Sequence, residues 1–226
     1  VRDSRINMDE PIQVLAGTGG VALGEARTNH DGRKAVLLHR DGNPSELIAF
    51  AETMGIEILD VQYQKGSEDP RSYFGKGRLQ DVADEISSAV EGHPWHGVDL
   101  VIIHSNASPR QLVNVHESVQ VEVWDRVRLL LYLFISHAGS AEARTQVRIA
   151  QLLADRNVLR ELVNQQTTGE RAGFGGAGQQ GIRGVLETVS RELTQLRRKQ
   201  RKHALARSER RRQRVRGGAR TVGLAG

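Results

Sequence analysis

The chain is 226 residues long, 38% hydrophobic and 4% aromatic, with 24 glycines, no cysteine and a formal net charge of +5. That length holds one domain with an appendage or two small domains, and the absence of cysteine excludes disulfides and thiolate metal sites. No apolar run approaches the roughly 18 residues of a membrane span, and no signal-peptide apolar stretch opens the chain, so a cytoplasmic protein is the expectation.

The charge is unevenly placed. Residues 191–216 carry 12 Lys or Arg against Glu192 and Glu209, a local +10, which leaves 20 basic and 25 acidic side chains elsewhere. A mildly acidic body with a basic arm suits a polyanion at one end only.

Residues 1–31 are weakly patterned. "GTGGVA" (17–22), with Asp41 roughly 20 residues on, has the outline of a dinucleotide fingerprint. The strand before it, "IQVLA", is short and follows a proline, and the helix after it is barely two turns, so this outline is set aside. From Arg33 the pattern sharpens. "KAVLLHR" (34–40) reads as a buried strand, and Asn43 as N-cap with Pro44 at the first helical position opens a helix that ends at Gly55. "IEILDVQYQ" (56–64) is strand-like and "KGSEDPRS" a loop. "GRLQDVADEISSAV" (77–90) places Leu79, Val82, Ile86 and Val90 at helical spacing. A third strand, "VDLVIIH" (98–104), a short helix, "SPRQLVNVHESV", and a fourth strand, "VQVEVW" (119–124), complete the alternation. It predicts an α/β domain over 32–124, a small mostly parallel sheet with helical crossovers.

After Trp124 the strands cease. "DRVRLLLYLFISHA" (125–138) and 140–163 read as helices, the second with Ile149, Leu152, Leu159 and Val163 on one face. In 185–196, Leu186, Val189, Leu193 and Leu196 hold a/d spacing. Two amphipathic helices joined by a glycine-rich loop predict a long antiparallel α-helical hairpin over 125–216, with its tip at 165–184. Beyond Leu196 the next seam positions are Gln200 and His203, so the helix should continue as a polar, arginine-covered rod.

The tip is no P-loop, because no Gly-Lys-Ser/Thr follows its glycines. It reads either as a flexible hairpin end or as a segment ordered against RNA. In the second case Arg171 and Arg183 would contact phosphates, Phe174 would stack, and Gly175, Gly176 and Gly178 would offer backbone N–H groups. In the arm, Arg197, Arg198, Arg207, Arg210, Arg211 and Arg214 are candidate RNA contacts. Like charges at i, i+4, such as Arg207 with Arg211 and Arg210 with Arg214, destabilise an isolated helix, so the run makes more sense against phosphates. Nothing in it reads bases. His93 and His96 of "HPWH" lack a third ligand, and His104 and His116 read as surface or cap residues. Neither a catalytic residue nor a metal site emerges. Gly75 and Gly77 of "FGKGR" read as turn glycines before a helix, the alternative being a small nucleotide-binding enzyme.

Four stretches resemble the N-terminal region of the HflX family of ribosome-associated GTPases. "YFGKGRLQDV" is similar to that family's Tyr-x-Gly-x-Gly-Lys loop and helix, with Arg78 in the last lysine's place. "SPRQLVNVHE" resembles its Ser-Pro-x-Gln-x-x-Asn-Leu-Glu, and "VWDRVRLLLYLFISHAGSAEARTQVRIAQL" its Val-x-Asp-Arg, Leu-rich helix and Gln-Val-x-x-Ala-x-Leu. "GGAGQQG" stands where the family carries a glycine-rich hairpin loop, although Gln180-Gly181-Ile182-Arg183-Gly184-Val185 replaces the usual Arg-Gly-Pro-Gly-Glu-Thr. The resemblance implies docking on the large ribosomal subunit and ribosomal RNA; a monomer is the separate expectation. It also implies that "TVGLAG", within the linker and strand segment 217–226, leads into a GTPase domain, with Gly226 as the first P-loop glycine. GTP and Mg²⁺ would then belong to that domain, and no cofactor to these 226 residues. A general RNA-binding adaptor is the alternative.

Overall fold

The computed structural model describes residues 30–167 and 176–218. Nearly all of the weakly patterned segment 1–31, the residues Arg171, Phe174 and Gly175, and the last stretch with Gly226 lie outside the described residues. Strand β1 (Lys34–His39) is central, flanked by β2 (Glu57–Tyr63) and β3 (Leu100–Ile103), with β4 (Glu122–Asp125) outside β3. Every pairing is parallel, in the order β2-β1-β3-β4, and the β1–β2 register shifts between Ala35 and Val36. Helices α1 (Ser45–Thr53), α2 (Lys76–Ser88) and α3 (Pro109–Val119) make the crossovers that parallel strands require.

β1 and β3 are buried on both faces, which is why they read as unbroken apolar runs. Their alternate side chains serve two cores. Ala35, Leu37, Leu100 and Ile102 meet Leu47 and Ala51 of α1 and Leu129 of α4 (Arg126–His137). Val36, Leu38, Val101 and Ile103 meet Leu79 and Val82 of α2 and Leu112 and Val115 of α3. That second core does not stop at α3. It runs on through Leu152, Leu159 and Leu162 of α5 (Ala141–Thr167) to Val185, Val189 and Leu193 of α6 (Gly176–Arg216). The hairpin is therefore built onto the sheet rather than tethered to it.

Helix starts follow side-chain chemistry. Asn43 Oδ1 accepts from Ser45 N at 3.0 Å, with Pro44 already helical at φ −74°. Ser108 and Gln111 form a reciprocal capping box on α3, and Asp125 Oδ1 accepts from Arg128 N at 2.9 Å at the start of α4.

The structure corrects four expectations. Val90 lies past the end of α2 and is 72% exposed, because the helix stops at Ser88 before the "HPWH" turn. Val119 belongs to α3, which leaves β4 only four residues. On α5 the buried position is Leu162, not Val163, since α5 packs against α3 and α4 as well as α6 and needs a wider apolar face. The expected tip at 165–184 is largely helix: α5 runs to Thr167, and α6 starts at Gly176. Helix propagation adds a hydrogen bond per residue once the Val185–Leu193 segment is packed, which offsets the roughly 1 kcal/mol penalty of each glycine.

Candidate nucleic-acid interface

The seam of the hairpin decides where its charge goes. α5 and α6 pack through Leu152, Leu159 and Leu162 against Val185, Val189 and Leu193. Arg148 of α5 grips Glu192 of α6 through Nε at 2.9 Å and Nη2 at 3.2 Å. Near the base, Arg207 of α6 pairs with Glu142 in the first turn of α5. α5 has 27 residues and α6 has 41, so at about 1.5 Å per residue α6 is some 20 Å longer. Residues 201–218 are all exposed, and helix continues to Arg216 as the rod the sequence predicts. At about 100° per residue, Arg207, Arg210, Arg211 and Arg214 fall on the same side of α6 as Val185, Val189 and Leu193. The stripe that buries apolar side chains against α5 becomes, beyond α5, an arginine stripe facing solvent.

Of the sequence candidates, Arg197, Arg198, Arg210, Arg211 and Arg214 are exposed along this rod, and Arg183 is exposed near the other end of α6. Arg207 is 64% exposed but already partnered by Glu142, so it contacts a phosphate only in competition. Gly176 and Gly178 belong to the first turns of α6. The structure does not bring tip and arm together: Gly178 and Arg210 are 32 residues apart on one helix, about 48 Å. A single short RNA segment cannot touch both.

Two groups of residues join the hairpin to the body; Gln111 and Asn114 of the second lie in the motif "SPRQLVNVHE", whereas Asp155 and Gln165 carried no sequence signal of their pairing. Arg128, buried on α4, donates from Nη2 to Asp155 Oδ1 on α5 at 2.5 Å. Burial opposes the charge of Arg128, yet Asp155, with Tyr132 and Asp125 behind it, more than compensates and holds the guanidinium protonated. Burial also raises Asp125 above the usual carboxylate range and pushes the Tyr132 hydroxyl up to about 12. Toward the tip, Gln165 of α5 donates to Asn114 Oδ1 at 3.3 Å, and Asn114 Nδ2 donates to Arg71 O at 2.9 Å. Gln111 Nε2 donates to Asp69 O at 2.8 Å. These bonds tie α5 through α3 to the loop between β2 and α2.

That loop is organised by Arg40 at the end of β1. Its Nε donates to Tyr73 O at 2.7 Å, Nη1 to Gly66 O at 3.2 Å and Nη2 to Gln64 Oε1 at 2.6 Å. The guanidinium also lies over the Phe74 ring, 5.4 Å from its centroid. Tyr73, not Gly75, takes the left-handed conformation, with φ 64°, while Gly75 has φ −60° and leads into α2. Gly75 N donates to Gln64 Oε1 at 2.8 Å. Among the described residues no cluster of His, Asp or Glu could hold a metal ion, and no helix is long and apolar enough to cross a membrane. A signal for the Arg128 pair lay in "WDRVR", where Asp-x-x-Arg marks a helix start, but its partner 27 residues on has no local signature.

Residues 42–135 match the family model described as GTP-binding GTPase N-terminal. The chain is 33% identical over 139 residues to the GTPase HflX of Methanocaldococcus jannaschii, a match covering 62% of this chain and 32% of that protein. To the GTPase HflX of Thermofilum pendens it is 29% identical over 204 residues, or 87% of this chain and 46% of the relative. The chain is similar to the HflX family. It corresponds to the N-terminal region of HflX GTPases. The fold is likewise similar to that of a GTP-binding protein from the hyperthermophilic archaeon Sulfolobus solfataricus solved with GDP. That likeness has a TM-score of 0.56 and 19% identity, and covers 76% of this chain and 46% of the other. The chain spans between about a third and just under half of the length of the curated relatives it matches.

Proposed function

We propose that this chain is the ribosome-docking region of an HflX-like protein, which binds the large ribosomal subunit through ribosomal RNA. On this reading GTP and Mg²⁺ bind in the part of the relatives that the chain does not span. The observation that carries it is the rod: a fully exposed segment, 201–218, helical to Arg216, continuous with a packed hairpin and bearing eight Lys or Arg against Glu209 alone. A solvated surface helix does not need that ratio, and its like charges repel. A phosphate backbone relieves the repulsion and releases counterions. The glycine-rich tip, with Arg171, Phe174 and Arg183, serves as a second contact. It lies at the other end of α6, so the proposed surface is an extended one.

Sedimentation with large ribosomal subunits across a salt series tests this. If about six phosphates are neutralised, affinity falls roughly a thousandfold between about 50 and 200 mM salt. Changing Arg207, Arg210, Arg211 and Arg214 to Gln lowers the salt slope by a little under one for each phosphate left without its arginine. The helix survives that change, since Gln is nearly as good a helix former as Arg. Changing Arg171 and Arg183 to Gln lowers the slope by a separate increment. Salt-independent sedimentation, or a quadruple variant that sediments like the parent, refutes the reading. Equal binding to unrelated structured RNA would favour a general RNA-binding adaptor.

A further inference from the structure

α4 has an inner and an outer face. Leu129 and Tyr132 face the sheet, where they pack against Trp124 and its neighbours. On the outside, Val127, Leu130, Leu131 and Phe134 recur at i, i+3, i+4 and i+7, which places them on one side of the helix within an arc of about 100°. Val127 is 39% exposed and Phe134 is 56% exposed, while Leu130 and Leu131 are half-buried. A contiguous apolar stripe on an outer helix marks a docking surface more often than a lone exposed leucine does. The basic rod, by contrast, interrupts its own exposed apolar residues, Leu205 and Val215, with charge on every side.

We propose that the outer face of α4 is covered by the chain's own N-terminal segment, with Ile12, Val14, Leu15, Val21 and Leu23 supplying the apolar partners. Two observations select this occupant. The first is where the segment joins the fold. His30 is buried, its ring 4.7 Å from that of Tyr132 on α4 and 5.0 Å from that of Trp124. The chain thus enters the described fold already packed on α4, and the proposed contact continues that interface around the helix. The second is reach and composition. Leu23 precedes His30 by seven residues, a span of up to about 23 Å, which exceeds the half-circumference of a helix about 10 Å across. Residues 12–23 hold five large aliphatic side chains and no charged one, so the segment can lose water along most of its length.

The absence of cysteine from the chain makes the test clean. In the full chain, Leu23→Cys is combined with Phe134→Cys, and separately with Leu205→Cys on the rod as an exposed control. Each is treated at high dilution with a short bis-maleimide, and the products are mapped by mass spectrometry. The expected result is intramolecular coupling of the 23/134 pair at least tenfold faster than of the 23/205 pair. Equal rates overturn the proposal. So does coupling that appears only between molecules and rises with concentration, which would assign the stripe to a second copy. A second measurement needs no cysteine: hydroxyl-radical labelling of Phe134 should rise severalfold when Val21 and Leu23 are changed to Ser in the otherwise natural chain. Unchanged labelling of Phe134 in that variant also overturns it.

Discussion

Arg128 carries the joint between sheet and hairpin in a single side chain. It leaves the start of α4 beside the Asp125 cap and ends on Asp155 of α5, with both partners about nine-tenths buried. Removing one member of such a pair strands a charge in the core, so Arg128→Met alone should cost about 3–5 kcal/mol in urea unfolding. Combining it with Asp155→Leu should recover most of that loss, because two apolar side chains of similar volume need no partner. His39 sets a pH dependence at the carboxyl end of β1. Its ring lies 4.9 Å from that of His104 and 5.5 Å from that of Tyr63. Burial, then the neighbouring His104, lower its pKa from 6.5, and Asp41 only partly opposes them. The unfolded chain therefore takes up a proton at a pH where the fold still refuses one. The stability His39 contributes is complete above 6.5 and is lost as pH falls from there through its depressed value. Denaturation at successive pH values should show the parent losing more stability than His39→Asn across that window; identical slopes would exclude His39 as the cause.

At the scale of elements, α6 is two helices in one. From Ile182 to Leu196 it is held by α5; from residue 201 onward every residue is exposed, and among the described residues Arg207 pairs with Glu142. Helical stability in proteins comes mostly from the packed face. Amide exchange should therefore be slow at Val185, Val189 and Leu193 and faster by several orders of magnitude from Ala204 to Arg214. Uniform protection along α6 would show that the rod is held by something other than its own hydrogen bonds. Leu159→Ala on the facing helix should cost about 2–5 kcal/mol, since Leu159 is fully buried in the seam. Most of these elements were legible from periodicity. The errors fell where tertiary packing overrode local signals: Val90 continued a helical spacing past the end of α2, and the glycines at 176 and 178 were absorbed into a helix nucleated further along.

For the whole molecule, the continuous core has a mechanical consequence. The apolar side chains on one face of β1 and β3, Val36, Leu38, Val101 and Ile103, and those of α6 belong to one packed cluster, joined through α3 and α5. Body and hairpin should unfold together, so Trp95 and Trp124 fluorescence and far-ultraviolet helicity should follow coincident denaturant curves. Two separated transitions would mean that the hairpin is an independent unit. A rigid joint also suits the proposed role, because a force or contact on the rod is passed to the sheet without a hinge. The chain contains no Gly-Lys-Ser/Thr anywhere in its 226 residues. It should therefore show no micromolar, Mg²⁺-dependent binding of a fluorescent GTP analogue, and a titration that saturates in that range would contradict this.

The sequence by itself determined the strand–helix alternation, the parallel sheet, the hairpin and the concentration of charge in one arm, because periodicity and composition are local properties of a chain. It also carried the family resemblance, through motifs in the β2–α2 loop, α3 and α4. Tertiary structure alone decided the rest. Burial chose Leu162 over Val163, and Arg40 forced a non-glycine residue, Tyr73, into a left-handed turn. Antiparallel packing set Arg128 against Asp155, 27 residues away, and committed Arg207 to Glu142. The continuity of α6 put the tip and the basic arm, read as one RNA-binding unit, at opposite ends of a helix about 60 Å long. Distances between residues far apart in sequence are fixed by which faces bury against which, and no local pattern encodes that.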